Sequence, residues 1–302
     1  MPVQASVQIQ GKPLIFRRPN PDLFIKSLPS AEGEWRLRYH GAAGFTLSGN
    51  QTTVVLDPFV TRPGLITTAF RRLRPNLERI EGEFPHADAV LVGHAHHDHV
   101  LDAPHVAAHT GATFIGSSDA ANVARAAGLP EGQIRETAGR ENIEIKGATI
   151  RGIPSAHGRV YFGRVTLPGN IPTPPPWPPR LWDLRHGQVL NWHVDLGGLR
   201  VVHVDSAEVF EHELAGLQAD VVCLCAIGRR YRPDYVQTVV RQLRPRWIVP
   251  CHWDWFFTPF GAPSQLLPGV DLEGFISEIE ATGVDAVPLD LGDEFHIPGS
   301  HK

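Results

Sequence analysis

The stretch AVLVGHAHHDH, residues 89 to 99, constrains the fold more than any other part of the chain. It starts as an uninterrupted apolar run, the pattern of a strand buried on both faces. It ends in His-x-His-x-Asp-His at His94, His96, Asp98 and His99. Imidazoles beside a carboxylate are ligands for zinc, manganese or iron. With 16 histidines and 16 aspartates among 302 residues, this four-site pattern arises by accident roughly 0.002 times in such a chain. A turn built only for capping would draw on Ser, Asn and Gly instead. The spacing is too tight for a single helical face, so a loop at a strand end is expected to aim these side chains at one point.

The rest of the chain alternates between strand-rich and helix-rich stretches. Residues 1–34 read as an N-terminal arm with one short helix. WRLRYHG, AGFTLSG and TTVVLDPF follow as antiparallel strands joined by tight turns. After the histidine cluster, DAPHVAAHTG reads as a helix closed by Gly111, TFIGS as a strand, and SSDAANVARAAGLP as a helix with a Ser start and a Gly-Leu-Pro stop. IEIKGATIRGIPSAHG supplies two more strands. VLNWHVDL, LRVVHVDSA, ADVVCLCA and RWIVPCHW supply four others, with helices at EVFEHELAGL, DYVQTVVRQL and LEGFISEIEATG. Two similar halves of this kind predict two sheets packed face to face with helices outside. Residues 1–302 read as one domain. Within it, 168–182 is too rich in proline for helix or central strand and is expected to form an ordered loop or lid, with Trp177 and Trp182 packing it down.

The formal net charge of −4 and the lack of a basic stripe argue against a nucleic-acid partner. No apolar run reaches the length of a membrane span, and the first residues lack a signal-peptide pattern. Three cysteines, Cys223, Cys225 and Cys251, read as reduced buried thiols. The expectation is a cytoplasmic protein acting on a small molecule, and a homo-oligomer is compatible with it.

One loop cannot complete two metal sites. Other His and Asp residues just past apolar runs are His157 in IPSAHG, Asp205 in VVHVDSA and His252 in IVPCHW. With LDPF at 56–59 and HAHHDH at 94–99, these elements resemble, in order and separation, those of the metallo-β-lactamase superfamily across roughly residues 35–297. The resemblance implies an α/β fold, an αββα sandwich of two mixed sheets with a binuclear site at one edge. It implies His94, His96 and His157 as ligands of one divalent metal ion, Asp98, His99 and His252 as ligands of a second, and Asp205 as a bridging carboxylate. Asp57 would brace the ligand loop without binding metal. Zinc is the first expectation for both ions, with manganese or iron as alternatives. YHGAAGFTLSGNQTTVVLDPF resembles the opening of the branch that holds ascorbate-phosphate lactonase and the N-acyl phosphatidylethanolamine phospholipase D enzymes. The chain departs from that branch after the histidines, where Asp102 stands three residues beyond His99 instead of two.

Two adjacent cations would activate a water and polarise a carbonyl or phosphoryl group, with Asp98 as the catalytic residue that holds the nucleophile and later protonates the leaving group. His40, Arg159, Tyr161, Trp177, His193 and Trp253 are candidates to contact substrate, each set against a plain packing or surface role. His97 has no assigned part. The first expectation is a metal-dependent hydrolase of a small ester, lactone or amide. The alternatives are a phosphodiesterase acting on a phospholipid or nucleotide, and a metal-binding scaffold without catalysis. Di-iron members of the superfamily replace the second motif histidine with Glu, so His96 speaks against iron–oxygen chemistry.

Overall fold

The computed structural model describes residues 7–9, 12–14, 17–24 and 35–298. The rest of the expected N-terminal arm lies outside the described residues. Within it, β1 (Val7–Ile9) and β2 (Lys12–Leu14) form a hairpin, and Pro21–Leu23 form a 3-10 turn whose start is capped by the Asn20 side chain. Residues 17–24 lie against the end of the sandwich: the Leu266 amide donates to the Arg17 carbonyl at 2.8 Å, and the Phe24 ring sits 5.3 Å from that of Trp253.

β3 (Trp35–Gly41), β4 (Gly44–Gly49) and β5 (Thr52–Leu56) form the expected antiparallel meander. In β3, Trp35, Leu37 and Tyr39 are buried while Arg36 is exposed, the period of two that places one strand face on a core. The chain then passes through α1 (Leu65–Phe70), α2 (Leu77–Glu83), β6 (Ala89–Leu91), α3 (His97–Val100), α4 (Ala103–Thr110), β7 (Thr113–Gly116), α5 (Ser118–Ala126) and β8 (Ile134–Glu136). Gly111 ends α4 in the left-handed region at φ 75°, and Ser117 caps α5. The second half contains β9 (Asn142–Ile145), β10 (Ala148–Ser155), β11 (Val189–Asp195), β12 (Arg200–Val204), α6 (Glu211–Leu214), β13 (Val221–Cys225), α7 (Tyr235–Leu243), β14 (Trp247–Cys251), α8 (Leu272–Glu280), β15 (Asp285–Ala286) and β16 (Glu294–Ile297).

The strands form two seven-stranded sheets, in the orders β16-β3-β4-β5-β6-β7-β8 and β15-β14-β13-β12-β11-β10-β9. Each is antiparallel at one end and parallel at the other: β5 to β8 run parallel in the first sheet, and β12 to β15 in the second. One apolar cluster fills the space between the sheets and under α7 and α8. A second lies between the first sheet and α2, α4 and α5. This is the expected αββα sandwich.

The described structure departs from the sequence reading in three places. His97–Val100 is a turn of helix, not loop, because the His96 carbonyl accepts from the His99 and Val100 amides at 3.0 and 2.9 Å. β1, β2, α1, α2, β8, β15 and β16 were not expected, being short elements with little periodic signal. Residues 168–182 are tied down as an ordered segment, but over the helices. The Ile171 amide donates to Asp119 Oδ1 at 2.5 Å, and the Pro179 carbonyl accepts from the Leu73 amide at 2.7 Å.

Candidate metal centre

The candidate ligands, and Asp57 which braces their loop, stand mostly just past strand ends of both sheets, with Asp98 and His99 on α3. Asp57 follows β5, His94 and His96 follow β6, His157 follows β10, Asp205 follows β12, and His252 follows β14. The carboxyl ends of parallel strands are where α/β sheets place their ligands, and here two sheets bring theirs to one edge.

The ligand atoms form three groups, within each of which all atoms lie within 4.8 Å of one another: His94, His96 and His157; Asp98, His99 and His252; and His94, His99 and Asp205. The first two are the two triads implied by the resemblance. His94 Nε2 faces His96 Nδ1 at 3.0 Å. Asp98 Oδ2 lies 3.3 Å from His252 Nε2 and 3.6 Å from His99 Nε2. Asp205 touches one histidine from each triad, its Oδ2 standing 2.5 Å from His94 Nδ1 and 3.8 Å from His99 Nδ1, while its Oδ1 is buried with no hydrogen-bond partner among the described residues.

Three imidazoles are oriented by an oxygen at Nδ1. His94 faces Asp205, His157 faces the Gly158 carbonyl at 2.7 Å, and His99 faces Asp57 Oδ2 at 2.8 Å. A proton held at Nδ1 leaves the Nε2 lone pair free, which is how a ligating histidine is prepared. Asp57 does more than hold His99. Its Oδ1 accepts from the Gly93 amide at 2.7 Å, so one carboxylate fixes both ends of the ligand loop.

The electrostatics fit cations. Burial, with the neighbouring histidines, holds His94 and His96 well below the usual imidazole range, and burial brings His157 down to about 4. These rings are therefore neutral at physiological pH, as metal ligands must be. Burial would also lower His99, but Asp57 and Asp98 overcome it and raise it to about 9. Burial would raise Asp98, yet His99 and His97 pull it well below the usual carboxylate range. Buried carboxylates call for positive charge: here Asp57 and Asp98 draw it onto the His99 ring, and the same donor set suits divalent metal ions, whose binding would displace that proton.

His97 belongs to neither triad. Its Nδ1 lies 3.4 Å from Asp98 Oδ1 and its ring packs against Phe59 and Phe257, so it flanks the carboxylate on the side away from His252. Asp102 is also accounted for: its Oδ2 accepts from the amides of Val60 and Thr61, each at 2.8 Å, and ties the segment after LDPF to the start of α4.

The cluster forms the floor of a cavity of about 650 Å³. Of the six candidate substrate contacts, only Tyr161 lines it. His40 is fully buried elsewhere, 2.7 Å from the Thr46 hydroxyl, and burial lowers it to about 3. Trp253 packs between Phe24 and Tyr39. His193 meets the Gln218 carbonyl at 3.1 Å, Trp177 packs on His105, and Arg159 points to solvent. From 168–182, Leu181 alone reaches the cavity.

The sequence reading missed three groups. His186 stacks on His157 at 5.7 Å and meets His96 edge-on at 5.9 Å; its His-Gly dipeptide repeats that of His157 and was the available signal. Phe256 and Phe257 form a cavity wall, foreshadowed only by their closeness to His252. Arg62 and Asp254 form a buried ion pair with no local sequence signal.

Residues 36–252 match the family described as the Beta-lactamase superfamily domain. A UPF0173 metal-dependent hydrolase of Anaeromyxobacter dehalogenans is 27% identical over 254 residues, covering 78% of this chain and 81% of the relative. Another of that name, from Methanopyrus kandleri, is 26% identical over 266 residues, covering 86% and 99%. Among solved structures, Igni18, a metallo hydrolase of Ignicoccus hospitalis, superposes with a TM-score of 0.57 at 20% identity, covering 87% of this chain and 99% of its own.

Proposed function

Since the chain belongs to the β-lactamase superfamily, we propose that it is a binuclear metal-dependent hydrolase of a small-molecule ester, lactone or amide. The observation that carries this reading is the pair of ligand triads on the floor of one cavity. His94, His96 and His157 would hold one ion and Asp98, His99 and His252 the other. Asp205, set against one histidine of each triad, would be the carboxylate shared between them. Zinc suits the imidazole-rich donor set. When bound, the ions supply Lewis acidity and bring the pKa of water toward neutrality.

The chain's own residues do the rest. Asp98 stays ionised beside His99 and His252, so it can accept a proton from water at its carboxylate and return one to the leaving group. Asp57 and Asp205 keep His99 and His94 in place while charge shifts. The apolar walls exclude bulk water, which strengthens each of these interactions. The three free, buried cysteines support placing the protein in the cytoplasm, and no helix among the described residues is long and apolar enough to cross a membrane.

Metal analysis by mass spectrometry, paired with a panel of esters, lactones, amides and bis(p-nitrophenyl) phosphate, tests the proposal. Two ions per chain and carbonyl hydrolysis abolished by EDTA and restored by zinc are expected. Metal-loaded protein that hydrolyses nothing, or only the phosphodiester, overturns it.

A further inference from the structure

The cavity has a polar floor and apolar walls. Above the metal-ligand cluster it is walled mainly by side chains such as Phe162, Leu167, Leu181, Ile227, Phe256 and Phe257. Among the described residues no Lys or Arg lines it. A carboxylate or phosphate bound away from the metals would therefore lose its hydration and gain no countercharge, which disfavours it strongly. At about 650 Å³ the space is that of a drug-sized ligand site, far larger than an ester or lactone group alone needs.

The mouth supplies a second observation. Phe162 is a large apolar side chain at 77% exposure, and its backbone sits in the left-handed region at φ 57°. That conformation is costly for an aromatic residue, and such strain gathers at ligand clamps. Leu65 stands exposed on the same rim. Apolar surface left at a cavity mouth is surface that a ligand can cover.

We infer that the substrate is uncharged and largely apolar beyond its scissile group, and that Phe162 closes over the apolar body at the mouth. This rests on the hydrolase reading and names its substrate class. It separates this site from those built for nucleotides or other polyanions, which need cationic side chains.

The test uses metal-loaded protein with p-nitrophenyl alkanoates from acetate to decanoate, beside esters of equal length that end in a free ω-carboxylate. kcat/KM is expected to rise roughly tenfold or more along the alkanoates, as burial of successive methylenes allows, and to fall by a similar factor on adding the carboxylate. Phe162→Ala is expected to flatten the chain-length slope. A slope of zero, or ω-carboxylates that match the alkanoates, overturns the inference. A binding arm is independent of turnover: 1-decanol should displace Nile red from the protein, and decanedioate should not. If neither these esters nor the lactones and amides of the wider panel are cleaved, the hydrolase reading fails, while the displacement result still supports or overturns the apolar site.

Discussion

Arg62 and Asp254 stand 192 residues apart in sequence and form an ion pair in which each side chain is 1% exposed. Asp254 also accepts from the Tyr39 hydroxyl and the Ala42 amide, each at 2.7 Å. It lies two residues past His252, whose own amide donates to the Ala42 carbonyl at 2.6 Å and whose φ is 54°. The network pins His252, a candidate ligand at a strained backbone position, from the second sheet onto the first. Arg62→Ala would leave a buried carboxylate without its cation, a loss of about 3–5 kcal/mol. Urea denaturation should show this drop, and mass spectrometry should show the Asp98–His99–His252 site losing its ion. Unchanged stability and full metal content would remove Arg62 from this role.

Asp98→Asn keeps the shape of the side chain but takes away the carboxylate that His99 and His97 hold ionised. Turnover should fall by at least about a hundredfold, the scale of a lost general acid–base group. Rates have to be read beside metal content, because Asp98 is also a proposed ligand. A variant that binds both ions and turns over normally would end the assignment.

Gly93 is a residue whose missing side chain matters. A Cβ there would overlap the Asp205 carboxylate, which Gly93 lets approach His94. Gly93→Ala should cost about 1–3 kcal/mol, as overpacking does, and weaken metal retention at both triads. Thermal melting with and without added zinc measures both effects. Retention equal to the parent's would show that Asp205 can be moved without consequence.

Burial raises the Asp102 carboxyl to about 6, and the Thr61 and Val60 hydrogen bonds only partly offset it. The folded state therefore holds this proton more tightly than the unfolded chain does. Stability from this group is greatest below the ordinary aspartate pKa and is lost as pH rises toward 6. Asp102→Asn does not titrate, so its stability relative to the parent should improve between pH 4 and pH 7, by at most about 3 kcal/mol. Chemical denaturation of both proteins across that range is the measurement, and a difference independent of pH contradicts the account.

What could be read from the sequence is what is encoded locally. His94, His96, Asp98 and His99 declare themselves by spacing, and His157, Asp205 and His252 by standing just past apolar runs. The buried faces of β3 to β5 follow from alternation. Arg62 and Asp254 were illegible because their meaning comes from partners distant in sequence, and a lone Arg or Asp beside a turn looks like surface. Trp253 and His40, each weighed against a packing role, take that role: Trp253 packs between Phe24 and Tyr39, and His40 meets the Thr46 hydroxyl. His97 gained a role only once the Phe59 and Phe257 rings were seen to hold it beside Asp98.

The pairing of β16 with β3 joins Glu294 to Arg38 and Ile297 to Trp35. The first sheet thus takes an outer strand from the far end of the described chain. During synthesis, β3 to β8 emerge long before β16, and one side of β3 must wait with its hydrogen bonds unmade. Contacts across such a span slow folding, and an open strand edge invites association. An emerging chain should therefore depend on chaperone protection until β16 arrives, and the proposed metal centre, which takes His252 from the second sheet, is completed only after β14 has formed.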